Sequence, residues 1–230
     1  MFQAISLSPS HPSYPKALQK FWHDPSLQTL SAIGNLQILE NRTLAIFCSV
    51  QCPGDLILHT YDFARALRDT DTATISGFHS PMEKECLNLL QRGTQPILYC
   101  PARSLEKMRL LRNIKTAIDE ERLLLLSPFT RNQHRVTASL AQTRNYWVTA
   151  LADAVFIAYA TPGSKTEALA KQTVFWGKPL LTFDSPDTQN LRDLGAQVVD
   201  PVFTRSFWTH IIYNGSLLST QKTSKTSTSI

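Results

Sequence analysis

Residues 154–176 read AVFIAYATPGSKTEALAKQTVFW, and this stretch decides the fold. Ala154–Ala160 is apolar along its whole length, as expected of a strand buried on both faces of a sheet. Thr161-Pro162-Gly163 breaks the run, and Ser164 and Glu167 then stand at the spacing of a capping box. Lys165 to Trp176 follows as a helix. A buried strand that feeds a helix through a short polar turn is half of a parallel βαβ unit.

The same alternation extends outward in both directions. Upstream, Arg42–Cys48 reads as a buried strand, Gly54–Asp69 as a helix and Thr72–Ser76 as a short strand. Pro81–Arg92 is predicted helical, Thr94–Cys100 extended, and Leu105–Arg122 helical with a break. Leu123–Leu126 is a strand of four leucines, followed by a helix over Arg135–Ala152. Downstream, Leu180–Phe183 is a strand, Thr188–Leu194 a short helix and Gln197–Val199 a last strand. The fold class is therefore α/β, with a Rossmann-like, doubly wound, mostly parallel sheet and helices on both faces. That domain is expected over residues 41–201. Residues 1–40 read as an N-terminal extension with short helices, one starting at Tyr14-Pro15-Lys16-Ala17-Leu18 with Pro15 in its first turn, and with a turn at Gly34-Asn35. Residues 202–230 form a C-terminal segment whose end, SLLSTQKTSKTSTSI, has the composition of a disordered tail.

At 230 residues and 43% hydrophobic composition, the chain needs no disulfide or metal to hold a core. Charged residues make up 18%, too few for a disordered or coiled-coil protein. No apolar run approaches the roughly 20 residues of a membrane span. Met1-Phe2-Gln3-Ala4 has no basic region leading into an apolar core, so no secretory leader is read and a cytoplasmic location is expected. Cys48, Cys52, Cys86 and Cys100 form no C-x-x-C pair and read as reduced thiols acting as small hydrophobes. The six histidines show no metal-binding spacing, so neither a metal nor a cofactor is predicted.

The net charge is +5. Between Pro101 and Asn145 stand nine basic residues, from Arg103, Lys107 and Arg109 through Arg112, Lys115 and Arg122 to Arg131, Arg135 and Arg144, against four acids. One-fifth of the chain thus holds the entire excess, either as a solvated helix face or as a surface that attracts phosphate.

In a doubly wound sheet, ligands sit beyond the carboxyl ends of the strands, so the loops there are the candidate sites. The first loop, Cys48-Ser49-Val50-Gln51-Cys52-Pro53-Gly54, lacks the glycines of a dinucleotide fingerprint. In the second, Ser76-Gly77-Phe78-His79 leads into a capping box of Ser80 and Glu83. Its backbone N–H groups face the sheet edge, where an anion can bind. Gly77 permits close approach, His79 is placed to donate to a phosphate, and Phe78 either stacks on a base or packs in the core. After the 154–160 strand, Gly163, Ser164, Lys165 and Thr166 resemble the end of a phosphate loop but lack its first glycine. They remain a candidate cradle, with Lys165 as a cationic ligand. Arg144-Asn145 falls inside a helix, where spacing alone points such residues to solvent. No hydrolase elbow or catalytic constellation stands out; Glu167 is the candidate acid–base group should the chain be an enzyme.

Taken in order, these residues resemble the DNA-processing protein A family (DprA, or Smf). Tyr14-Pro15-Lys16-Ala17-Leu18 is similar to its Tyr-Pro-x-x-Leu, Ile33-Gly34-Asn35 to its Gly-Asn turn, and Thr74-Ile75-Ser76-Gly77 to the end of its second strand. Arg144-Asn145 with Ala150-Leu151-Ala152-Asp153 resembles its Arg-Asn helix, and the loop from Gly163 to Ala168 with Gly177-Lys178-Pro179 its distal phosphate-facing loop. The resemblance spans about Tyr14 to Pro201. It implies single-stranded DNA binding through this domain, in DNA processing and uptake during natural transformation, with a recombinase as partner and room for a homodimer. DNA would contact Ser49, the Ser76-Gly77 loop, Arg144, Asn145 and the Gly163–Thr166 loop. Two departures stand out: Cys48-Ser49-Val50 replaces the family's Gly-Ser-Arg, and Gly77–Glu83 replaces its Gly-x-Ala-x-Gly-Ile-Asp. The motifs favour a binding module over an enzyme. The alternatives are a small-nucleotide sensor or a nucleoside-monophosphate phosphoribohydrolase, on the likeness of Pro162–Glu167 to Pro-Gly-Gly-x-Gly-Thr-x-x-Glu, and a scaffold that has lost its ligand.

Overall fold

Four consecutive leucines show how the sheet is filled: Leu123 and Leu125 enter one core, Leu124 and Leu126 the other. Side chains alternate across a strand, so an unbroken apolar run is stable only where both faces are covered. The same alternation splits Leu44 and Ile46 from Ala45 and Phe47. Each leucine, isoleucine or phenylalanine among them contributes about 1.5–3 kcal/mol when fully buried.

The computed structural model describes residues 2–130, 132–202 and 208. Its strands are β1 (Ile5–Leu7), β2 (Leu30–Gly34), β3 (Thr43–Phe47), β4 (Ala73–Ser76), β5 (Ile97–Tyr99), β6 (Leu123–Ser127), β7 (Ala154–Ile157), β8 (Leu180–Thr182) and β9 (Gln197–Val198). Between them run α1 (Lys16–Phe21), α2 (Gly54–Leu67), α3 (Pro81–Leu90), α4 (Arg112–Asp119), α5 (Ala138–Leu151), α6 (Lys165–Phe175) and α7 (Gln189–Asp193). All nine strands join one sheet in the order β1-β2-β6-β5-β4-β3-β7-β8-β9. The pairs β1–β2 and β2–β6 are antiparallel and the others parallel. Among the described residues no helix is long and apolar enough to cross a membrane.

Helix faces follow from apolar spacing. In α2 the buried residues Leu56, Thr60, Phe63, Ala64 and Leu67 form one stripe, and Phe63 stacks on Phe156 of β7 at 4.2 Å. Residues of α2, α3 and α4 pack in the first core, whereas those of α1, α5, α6 and α7 pack in the second. β3 lies between β4 and β7. The chain runs outward from β3 to β6 and then returns to the other side of β3 for β7. The crevice beyond the carboxyl ends of β3 and β7 is thus the topological switch point, where ligands of such sheets bind.

Three readings of the sequence change. The N-terminal extension supplies, besides its short helices, the two antiparallel strands, and Tyr14, Leu18 and Leu30 share a core with α5. β1 buries only Leu7, so its three residues carry no alternation to recognise. Gly34 ends β2 rather than turning freely: its φ is +118°, and a Cβ there would meet the Leu123 carbonyl oxygen at 2.2 Å. The helix expected over 105–122 shrinks to α4. Lys107 adopts a left-handed φ of +54° and Leu111 is extended, so the segment before Arg112 cannot be helical. Arg131 and the Ser/Thr/Lys tail lie outside the described residues.

Candidate nucleic-acid interface

The site is built from three loops at the carboxyl edge, those after β3, β4 and β7, with α5 alongside. Ser49 ties two of them together across the switch point. Its N–H donates to the Tyr159 carbonyl at 2.9 Å, and its hydroxyl accepts from the Thr161 N–H at 3.1 Å. Ser49 is thereby a buried brace between loops.

The loop after β4 is organised by Glu83. Ser80 caps α3 by accepting from the Glu83 N–H at 3.3 Å, as the capping spacing predicts. The carboxylate does not close the box on Ser80. It reaches further back and accepts from the His79 N–H at 2.9 Å, the Ser76 hydroxyl at 3.3 Å and the Cys48 N–H at 3.4 Å. Glu83 is only 5% exposed. A carboxylate of the chain itself thus holds N–H groups of the first two loops.

The loop after β7 repeats this device. Ser164 caps α6 through the Glu167 N–H at 3.3 Å. Glu167 accepts from the Gly163 N–H at 3.2 Å, from Lys171 at 3.0 Å and from the Asn190 amide at 2.8 Å. The Asn190 hydrogen bond, then Lys171 and the Gly163 N–H, hold its carboxyl below the usual range, against the effect of burial. The cradle expected from Gly163 to Thr166 is thus half used internally, because the Ser164 N–H also donates to the Thr161 carbonyl. Lys165 and Thr166 remain at the first turn of α6, where N–H groups have no earlier turn to bond.

Arg144 departs from the solvent-facing position that spacing alone suggests. It is 2% exposed. Nη1 donates to the Cys100 carbonyl at 2.8 Å, Nε to the Asn145 side-chain oxygen at 2.8 Å, and the guanidinium lies against Gly77. Burial lowers its pKa, while the charge of Glu83 works in the opposite direction. Phe78 belongs to the core alternative. It is 3% exposed, with a left-handed φ of +45° and its ring edge-on to Tyr99 at 5.6 Å. Its ring therefore offers no face to a base.

These elements enclose a cleft of about 490 Å³. Of the residues singled out from sequence, His79, Arg144, Asn145 and Lys165 line it. Ser49, Ser76, Gly77 and Phe78 shape the walls from behind, and Gly163, Ser164, Thr166 and Glu167 stand outside the lining. Sequence reasoning missed Cys48, Val50, Tyr146 and Leu169 as lining residues. Ala138, Ala141, Gln142 and Asn145 also line it; their spacing of three, four and seven marks one stripe of α5, a signal open to periodicity. The basic stretch partly converges on this edge. Arg103, Lys107 and Arg109 follow β5 and Arg135 follows β6, whereas Arg122 is paired with Glu120 just before β6. Among the described residues no group of three or more His, Cys, Asp or Glu side chains could hold a metal ion.

Comparison with known proteins agrees with this architecture. No curated protein matches the chain in sequence. DNA processing protein A from Streptococcus pneumoniae superposes with a TM-score of 0.72 at 17% identity, over 87% of this chain and 72% of that one. DNA processing protein A from Helicobacter pylori, described with a single-stranded DNA binding mode of its own, gives 0.70 at 21% identity, over 96% and 97%. A molybdenum cofactor binding protein from Rippkaea orientalis reaches 0.51 at 12% identity, over 77% and 98%. At these identities the likeness is one of fold, a Rossmann-like, mostly parallel sheet with helices. The family model described as DNA recombination-mediator protein A, however, matches residues 6–202, from within the first strand to beyond β9, and the chain belongs to that family.

Proposed function

We propose that this protein binds single-stranded DNA along the carboxyl edge of its sheet, as a DNA-processing protein acting in the cytoplasm during DNA uptake and transformation. One observation carries the reading. The switch-point cleft brings His79, Arg144, Asn145 and Lys165, from three separate elements, into one cavity. The loops after β5 and β6 extend that edge with Lys107, Arg109 and Arg135, all exposed. Lys165 and the outer basic residues attract phosphate as exposed charges, whereas the buried Arg144 fixes the shape of the floor. The family resemblance extends the proposal to a recombinase partner and to a homodimer.

The test is fluorescence anisotropy with a labelled single strand, titrated at several salt concentrations beside a duplex control. The expected result is single-strand preference, with log affinity falling by about 0.7 per decade of salt for each phosphate contacted. Absence of binding at low salt overturns the reading.

The cleft's size supports a second reading. A volume near 490 Å³ lies within the roughly 300–1,000 Å³ of small-ligand pockets. A nucleoside monophosphate that raised the melting temperature while single strands failed to bind would favour it. The hydrolase version has less support, because Glu167 stands outside the lining and is held as a carboxylate by its three donors.

A further inference from the structure

We propose that the groove lined by Trp22, Tyr146 and Trp176 is a nucleobase subsite, which stacks a base on these rings and bonds its edge through the amides of Gln142 and Gln172. The groove adjoins the cleft and encloses about 420 Å³, within the roughly 300–1,000 Å³ of small-ligand pockets. Ser139, Gln142, Thr143 and Tyr146 line it as one stripe of α5, recurring at helical spacing. Gln172 and Trp176 come from the last turn of α6, and Trp22 is the C-cap of α1.

The lining selects a flat, neutral, polar ligand. Among the described residues none of its side chains is charged and none is aliphatic. A phosphate, a carboxylate or the leucine-rich face of a peptide therefore finds no counterpart there. Trp22, Tyr146 and Trp176 are each half-buried, so ring surface remains at the groove. Phe21 braces the Trp176 ring at 5.8 Å between centroids, and the Lys178 ammonium lies 4.3 Å from the Phe21 ring in turn. Among the described residues the side chains of Gln142, Thr143, Tyr146 and Gln172 make no hydrogen bond, so both amides keep donors and an acceptor for a base edge. The Trp22 indole N–H is buried without a partner. An unpaired buried donor is costly, and a small turn of the ring onto a base carbonyl relieves it.

Gln142 and Tyr146 line the cleft as well as the groove, so the two are continuous across one ridge of α5. The charges of Arg144 and Lys165 stand on the cleft side, and the two indoles on the other. That division matches a nucleotide, whose phosphate is charged and whose base is flat and neutral. Phe78 is buried and offers no face, so the groove supplies the stacking surface. The inference rests on the nucleic-acid reading of the cleft, and the base reaches the groove either within a bound strand or on a free nucleotide.

The test is photo-crosslinking of the full chain to a single strand carrying 5-bromodeoxyuridine and, separately, to 5-bromodeoxyuridine monophosphate, followed by trypsin digestion and fragmentation of the adducts. The expected adducts fall on Trp22 in peptide 21–42, on Tyr146 in 145–165 or on Trp176 in 172–192. Trp176→Ala should lower strand affinity about fivefold or more, the measure of one lost base stack. That loss should vanish with an abasic strand of equal length. Melting temperature checks that the variant is folded, and Gln172→Leu repeats the comparison without removing a ring. Adducts of both probes confined to other residues, or both variants binding like the parent, overturn the subsite while strand binding seen by anisotropy stands. No strand binding, with monophosphate adducts in the groove, overturns the DNA-binding reading and leaves the subsite in place. Absence of adducts from both probes overturns the subsite.

Discussion

The guanidinium of Arg144 packs against the Cα of Gly77, so that a methyl group added at Gly77 would lie 0.9 Å from Nη1. Glycine is required here by its neighbour and not by its own backbone, since its φ is outside the left-handed region. Gly77→Ala must expel the guanidinium and break its hydrogen bond to the Cys100 carbonyl. The expected loss is about 1–3 kcal/mol, read as a lower urea midpoint. Arg144→Ala opens the space, so the double variant should lose less than the two single variants combined. Additive losses would show that the two residues do not share this contact.

Glu83 holds the first two loops through the His79 and Cys48 N–H groups and the Ser76 hydroxyl. Glu83→Ala leaves those donors buried and unpaired, at a cost of about 1–3 kcal/mol for each one that water cannot reach. Glu83→Gln keeps one acceptor oxygen and should lose less. Urea denaturation of the pair checks the order, and equal losses would mean that the carboxylate's hydrogen bonds do not organise the loops.

Most of the sheet was legible because its strands are apolar on both faces, as in Leu123–Leu126 and Ala154–Ile157. β1 and β2 were not, because β1 buries only one side chain and antiparallel strands carry no βα rhythm. The helix caps at Ser80 and Ser164 were legible from spacing, since a cap is a local event. The reach of the two glutamates was not, because it depends on which loops the topology brings together: Cys48 and Glu83 are 35 residues apart. Arg144 illustrates the same limit. Nothing in its helix shows that Gly77 leaves room for it.

Lys165 and Phe78 separate binding from folding. Lys165 is exposed at the cleft, so Lys165→Ala should leave the melting temperature unchanged, weaken single-strand binding and reduce the salt slope by about 0.7. Phe78→Ala removes a buried ring and should cost about 3–5 kcal/mol of stability. Its binding, measured where the variant is still folded, should show none of the roughly 1–3 kcal/mol expected from a lost base stack. A stacking-sized loss in a stable Phe78→Ala protein would place the ring on the DNA.

Glu167 gives the acid limb of stability a defined contributor. Its carboxyl is held below the usual range, first by the Asn190 hydrogen bond and then by Lys171 and the Gly163 N–H. A carboxyl whose folded pKa is depressed binds a proton less readily in the native state than in the unfolded one. Its stabilisation is therefore fully present above the unfolded value of about 4.3, and is lost as pH falls through the lower folded value. Lys171 is an exposed partner and adds little in salt. The N–H and amide donors contribute more, because they hold the loop after β7 against Asn190. Glu167→Gln should be less stable than the parent at pH 7 by about 1 kcal/mol, a typical loss for a hydrogen bond to a charged group that becomes neutral. That difference should narrow as pH falls below the unfolded value of about 4.3, where the carboxyl of the unfolded chain takes up a proton before that of the folded one. Urea midpoints of the two proteins at pH 7, 5 and 3.5 read the effect directly. A gap that stays constant across that range would mean that Glu167 acts through its shape and not its charge.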